Sequence, residues 1–278
     1  MGNYQIIRGT FHVKGFSPDG DSIRFKADVP ARWDALDWKS QAKKKAKTKQ
    51  LRIEAIDALE THYQGFHQPQ AFAIAALETL LGLLGIGHLR YSLAVTRIVA
   101  ADDGKPGTIA VSGLDGFHRP ICFVFPEDVD LEDGAALSAG ELPLDRSVNL
   151  IMAEKGLVYP TFYTTMEPSV LPSFQSAVGR AKASGRGLWA VDQSGGFSLD
   201  RPLTIQEDVV ILPKLFRRLC GFLDRRSDLE QLPAYLKDQK DKVRRLSDGQ
   251  EFRFSKLIQV EGREVGLTVA PEDLAFVP

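Results

Sequence analysis

Apolar and polar residues alternate along residues 4–14 and again along 22–28. A period of two marks strands with one buried face, and the Asp19-Gly20 pair between the two runs predicts a hairpin. Residues 29–50 break the alternation with Pro30, Trp33, Trp38 and five lysines, Lys43, Lys44, Lys45, Lys47 and Lys49. A strand over 51–57 is expected next, then a helix over about 69–85 that begins at Pro69. Further strands are expected at 91–99, 108–112 and 119–125, with a turn over 102–107 and an acidic loop over 127–146. Helices over 148–155 and 172–184 are closed by Gly156 and Gly185.

The pattern changes after Gly195-Gly196. Helices are expected over 213–222, and from the capping box Ser227-Asp-Leu-Glu230 to about Leu246. Strands over 257–260 and 265–269, joined at Gly262, come near the end. The predicted class is α+β. Residues 1–197 read as a five-stranded OB-type β-barrel with inserted and flanking helices, and 198–278 as a small α+β extension.

Composition narrows the function classes. Hydrophobic residues make up 44% and charged residues 26% of the 278, the balance of an ordinary globular chain with a real core. A net charge of -1 confines any nucleic-acid binding to local basic patches. Cys122 and Cys220 lie in apolar runs and read as buried free thiols, with a disulfide as the alternative; no Cys/His spacing suggests zinc. The apolar stretch 71–89 is interrupted by Glu78, Gly82, Gly85 and Gly87, which favours a buried helix over a membrane span. With no apolar leader at the N-terminus, the expectation is a cytoplasmic protein without a membrane partner.

The chemistry gathers around Leu51-Arg-Ile-Glu-Ala-Ile-Asp-Ala-Leu-Glu60. Asp21 and Asp57 could give carboxylates to a hard divalent ion, and the Ala58 carbonyl a further oxygen. Glu60 could orient or deprotonate a water. Arg52 and Arg119 carry planar, permanently charged guanidiniums suited to phosphate. Strict alternation would put Arg52 and Asp57 on opposite faces, so they share a site only if the strand bends or ends between them. Each residue also has a bland reading: an Asp-Gly-Asp turn, a solvated strand face at Arg52 and Glu54, a loop start at Glu60, and an acidic neighbour for Arg119.

Five segments, in order, resemble the staphylococcal nuclease (thermonuclease) family. They are Asp19-Gly-Asp-Ser-Ile23, Arg52 through Glu60, Gly116-Phe-His-Arg119, Val148-Asn149 through Lys155-Gly-Leu157, and Arg180 through Gly187-Leu-Trp189. They cover about 190 residues, with insertions. The resemblance implies an OB-fold, Ca²⁺-dependent nuclease acting on DNA and also RNA, with Mg²⁺ or Mn²⁺ as substitute ions and 3′-phosphates as products. It places Asp21, Asp57 and the Ala58 carbonyl at the metal, Glu60 at the water, and Arg52 and Arg119 at the phosphate. Two departures stand out. Leu59 replaces a loop proline beside Glu60, and Phe117 replaces a tyrosine whose hydroxyl faces phosphate. A nucleic-acid-binding OB module without catalysis, or an interaction scaffold, are the alternatives.

Other nucleic-acid contacts are candidates by residue type. The lysines at 43–49 suit the backbone, against the reading of a solvated loop. Phe117, Tyr159 and Tyr163 suit contact with nucleic acid, with core packing as the alternative for the two tyrosines and for Phe162. His118 reads as structural. The pairs Arg217-Arg218, Arg225-Arg226 and Arg244-Arg245 read as charged helix faces rather than a partner surface. The extension after 197 is expected to restrain, dimerise or target the nuclease, or to hold a protein partner.

Overall fold

The computed structural model describes residues 3–38, 41–93, 97–201, 203–225 and 228–278. The strands are β1 (Asn3–His12), β2 (Arg24–Ala27), β3 (Lys49–Gln50), β4 (Arg52–Ile53), β5 (Ala55–Asp57), β6 (Arg90–Tyr91), β7 (Ile98–Ala100), β8 (Lys105–Leu114) and β9 (Pro120–Pro126). They continue with β10 (Ala136–Ser138), β11 (Tyr159–Tyr163), β12 (Phe197–Ser198), β13 (Lys242–Arg245), β14 (Glu251–Arg253), β15 (Ile258–Glu261), β16 (Glu264–Leu267) and β17 (Leu274–Val277). The α-helices are α1 (Gln41–Lys45), α2 (Gln70–Leu83), α3 (Val148–Glu154), α4 (Leu171–Ala183), α5 (Pro213–Leu223) and α6 (Leu232–Asp238). The fold is mixed α+β. It divides into a first unit of residues 1–54, 75–152 and 167–174, and a second of 55–74, 153–166 and 175–278.

The first unit is built on one curled sheet. β1 pairs antiparallel with β2 and with β8, β8 with β9, and β10 joins along β1. In β1, Ile7, Gly9 and Phe11 turn inward while Arg8 is exposed, as alternation requires. β9 instead buries Cys122, Phe123, Val124 and Phe125 in succession, because both of its faces are covered. β3 pairs antiparallel with β2, and β4 pairs parallel with β9. β3 and β4 are one run, 49–53, in which the Leu51 and Ile53 amides donate to the Ile23 and Asp21 carbonyls. That run is bonded on both sides, so the sheet nearly closes into a barrel.

α3 is tied to this sheet by one buried side chain. Asn149 accepts from the Val124 amide (2.9 Å) and donates to the carbonyls of Glu54 (2.9 Å) and Cys122 (3.1 Å). The Cys122 carbonyl also accepts from the Glu54 amide at 2.9 Å, so Asn149 closes a small backbone network at the end of β4.

In the second unit, β5 pairs antiparallel with β11, and β11 pairs parallel with β17. β17 also pairs with β13, and β13 with β14. A separate sheet runs β12-β16-β15. α5 is amphipathic: Leu215, Phe216, Leu219, Cys220 and Phe222 enter a core that includes Leu59, Tyr159, Leu188, Val243 and Phe276. The boundary between units does not fall near 197, since the tail shares this core with residues 55–74 and 153–166. Gly156 (φ 69°) and Gly187 (φ 57°) lie back to back here, and a Cβ on Gly156 would strike the Arg186 carbonyl. The Leu188 amide donates to the Gly156 carbonyl at 2.9 Å, so two distant glycine motifs meet at one contact.

Four expectations change. The run 51–57 is not one strand: Ala55 has φ 70°, and the pairing partner switches from β9 to β11 across it. The expected strand 91–99 is the antiparallel pair β6 and β7, with residues 94–96 outside the described set. The acidic loop contains β10, recruited by β1. The helix expected to reach Leu246 stops at Asp238, and Lys240 (φ 58°) turns the chain into β13. Ser227 lies outside the described residues, and the Asp228 side chain accepts from the Glu230 amide at this helix start. Both cysteines are free and buried. Among the described residues, no helix is long and apolar enough to cross a membrane.

Candidate functional site

Asp21, Arg52 and Arg119 belong to the first unit, and Asp57, Ala58 and Glu60 to the second. Arg52 begins β4 opposite Ile121 of β9, and Arg119 immediately precedes β9. Asp21 joins the same end of the sheet through its carbonyl, bonded to the Ile53 amide at 3.1 Å. The three residues therefore gather where β4 and β9 start.

Asp115 builds the turn that carries Arg119. Its Oδ1 accepts from the amides of Phe117 (2.9 Å) and Arg119 (2.8 Å), and its Oδ2 accepts from Arg119 Nε at 2.7 Å. Asp115 is thus the acidic neighbour of the bland reading, and it also aims the guanidinium. Phe117 is 76% exposed, and the Arg119 guanidinium carbon lies 5.6 Å from its ring centroid. His118 adopts φ 59°, the backbone conformation that closes this turn.

Glu54 is not on a solvated strand face. It is buried, and the Ser112 hydroxyl donates to it at 3.2 Å. Burial pushes its carboxyl up to about 7, against the opposing pull of Ser112 and Arg52.

In the second unit, Asp57 ends β5 opposite Tyr159 and is 1% exposed. The loop after it is tied by Gln68. The Glu60 amide donates to the Gln68 side-chain oxygen (3.2 Å), the Gln68 amide donates to the Glu60 carbonyl (2.9 Å), and Gln68 Nε2 donates to the Ile211 carbonyl (2.7 Å). Ala58 and Leu59 are buried. Leu59 lies in the core cluster with Leu212, Leu215 and Phe216, so it anchors the loop before Glu60 by apolar burial.

The acid pair faces a residue that composition and spacing assign to a charged helix face. Arg217 of α5 donates from Nη2 to Asp57 Oδ2 at 2.6 Å and from Nη1 to Asp57 Oδ1 at 3.2 Å. Nη1 also donates to Glu60 Oε1 at 2.5 Å. Burial works against the Arg217 charge, but Asp57 and Glu60 more than offset it and hold the guanidinium firmly protonated. Its neighbour Arg218 pairs with Asp241. No acid stands three or four positions from Arg217 on its own helix, so local spacing names no partner for it.

This geometry tests the donor set for a divalent ion. Both oxygens of Asp57, which the resemblance places at the metal, and one oxygen of Glu60, which it places at the water, already accept from a guanidinium. As arranged, with both oxygens engaged, Asp57 does not fit a resident divalent cation. Among the described residues, no three His, Cys, Asp or Glu side chains group as metal ligands.

The remaining candidates divide. Lys43, Lys45 and Lys47 are exposed. Lys44 pairs with Asp34 at 2.9 Å. Lys49 is buried and turned inward. Its ammonium donates to the carbonyls of Lys44 and Ala46 and lies 5.7 and 5.2 Å from the Trp33 and Trp38 rings, so it organises this segment instead of facing solvent. Tyr159 takes the core alternative: it is fully buried and its hydroxyl donates to Asp192 at 2.6 Å. Phe162 is also buried, and Tyr163 packs on Phe276 with ring centroids 6.1 Å apart. Arg244 and Arg245 pair with Glu251 and Asp248, and Arg226 lies outside the described residues.

No protein-family model matches the chain, and no curated protein matches its sequence.

Proposed function

We propose that the protein is a nucleic-acid phosphodiesterase of the staphylococcal nuclease type, acting on DNA and secondarily on RNA. The observation that carries this reading is the pair of arginines at the start of β4 and β9, Arg52 and an Arg119 held by Asp115. Independent support comes from the sheet. Taken as β1, β2, the run 49–53, β8 and β9, its pairing follows the order 1-2-3-5-4-1 with only the third and fifth strands parallel. That order supports the reading of an OB-type barrel, an architecture that binds oligonucleotides.

In this reading Arg52 and Arg119 bind the scissile phosphate and offset the charge that grows on its oxygens during attack. Asp115 positions Arg119, exposed Phe117 offers a face to a base, and Glu60 holds and deprotonates the attacking water. The resemblance also implies a divalent ion. No step is assigned to it, because the oxygens it would need are engaged by Arg217.

The same Arg217 contact favours a second reading: an OB module that binds nucleic acid without cutting it. A cleavage assay on single- and double-stranded DNA and on RNA, with Ca²⁺, Mg²⁺ or EDTA, separates the two. Glu60→Gln is expected to lower the rate by about 10²–10⁴-fold, the range of a lost general base. Arg119→Ala is expected to lower it by about 10²–10³-fold, the range of a lost charge stabiliser. Binding with no cleavage under any condition would establish the second reading. Cleavage indifferent to both substitutions would sink the roles assigned to Glu60 and Arg119.

A further inference from the structure

α5 presents three cations along one side, Lys214, Arg217 and Arg218, at spacings of three and one. Two of them clamp one acid: Lys214 Nζ lies 3.1 Å from Asp241 Oδ1, and Arg218 bonds both Asp241 oxygens at 2.5 and 2.6 Å. The apolar residues of α5 are fixed in the core. Helix position and rotation are therefore set independently of Arg217, which is left aimed at Asp57 and Glu60.

Arg217 is partly buried, and a guanidinium withdrawn from water is costly unless its donors are met by well-placed acceptors. The planar fork of Arg217 takes both oxygens of Asp57 and one of Glu60, a three-point match that a lysine ammonium could not reproduce.

We infer that Arg217 is the resident cation of the acid pair: its guanidinium engages both Asp57 oxygens that a divalent ion there would require, and such an ion binds Asp57 only by displacing it. The inference rests on the proposed function for its view of these two acids as the reactive centre. It adds that α5, not a bound metal, neutralises them at rest.

The test is calorimetric titration of the full chain with CaCl₂, which reads binding and not turnover. The wild type is expected to bind weakly. Arg217→Gln is expected to bind Ca²⁺ at least roughly ten-fold more tightly, a gain of about 1.4 kcal/mol. That gain disappears when Asp57→Asn is added. Arg217→Lys, which keeps the charge but only a point contact, is expected to fall between the two. Should Arg217→Gln fail to fold, Arg217→Lys against wild type carries the test, with about a three-fold rise expected.

Equal Ca²⁺ affinity in the wild type and whichever Arg217 variant folds overturns the inference, as does a gain that survives Asp57→Asn. The two proposals fail separately. Ca²⁺-supported DNA cleavage by the wild type, with affinity unmoved by Arg217 substitution, removes this inference and leaves the nuclease. The predicted gain in Ca²⁺ binding, with no cleavage by any variant, leaves this inference and removes the nuclease.

Discussion

Replacing Glu54 by glutamine should stabilise the protein, and more so as the pH rises. The carboxyl is raised by burial from 4.5 to about 7 in the folded state. Between those values the folded chain keeps a proton that the unfolded chain has released. Stability from this group is therefore complete below pH 4.5 and is lost progressively as pH rises towards 7. At about 1.4 kcal/mol per pH unit, the full loss at pH 8 is about 3 kcal/mol, and at pH 5 it is still under about 1 kcal/mol. Glutamine keeps the shape and a polar contact for Ser112 but has no charge to desolvate. Urea unfolding of wild type and Glu54→Gln at pH 5 and pH 8 isolates this term, because every other titrating group cancels within each pair. The stability difference should grow in favour of the variant by about 2–3 kcal/mol between the two pH values. A difference that stays flat with pH would show that Glu54 does not titrate in this range, and the account of its burial would be wrong.

Asn149→Ala should cost about 2–4 kcal/mol in the same unfolding assay, since the Val124 amide and Glu54 carbonyl lose their partner in a dry site. A loss below about 0.5 kcal/mol would mean that water replaces the amide there. Gly156→Ala should lower stability by about 3 kcal/mol or more, because the left-handed backbone and the Arg186 carbonyl both oppose a Cβ. A circular-dichroism melt unchanged from wild type would refute the close backbone approach.

Local periodicity revealed the elements whose two faces differ. β1, β2 and β9 were legible from alternation and turn residues, and α2, α3, α4 and α5 from helical spacing and glycine or proline ends. What it missed was decided by partners far away in the chain. The break at Ala55 exists because β4 and β5 bond to different strands. β10 forms because β1 has a free edge for it, and β13 because β14 and β17 flank it. The site divides the same way. Asp21, Arg52, Asp57, Glu60 and Arg119 were visible as residue types at suggestive spacing. Arg217 was not, since its partners stand 157 and 160 positions away and no local rule couples them. Glu54 was equally hidden, because one inward position at a strand end looks like any other acid.

The separation of Arg217 from its carboxylates has a temporal side. Ribosomal synthesis proceeds at roughly 5–20 residues per second, so the 157 residues between Glu60 and Arg217 take roughly ten to thirty seconds to add. Asp57 and Glu60 are made first, and their partner on α5 follows only after that interval. β5 and β11 likewise wait for β17 before their sheet has its third strand. The second unit therefore matures late in translation, and the charge balance of its acid pair is among the last features to be set.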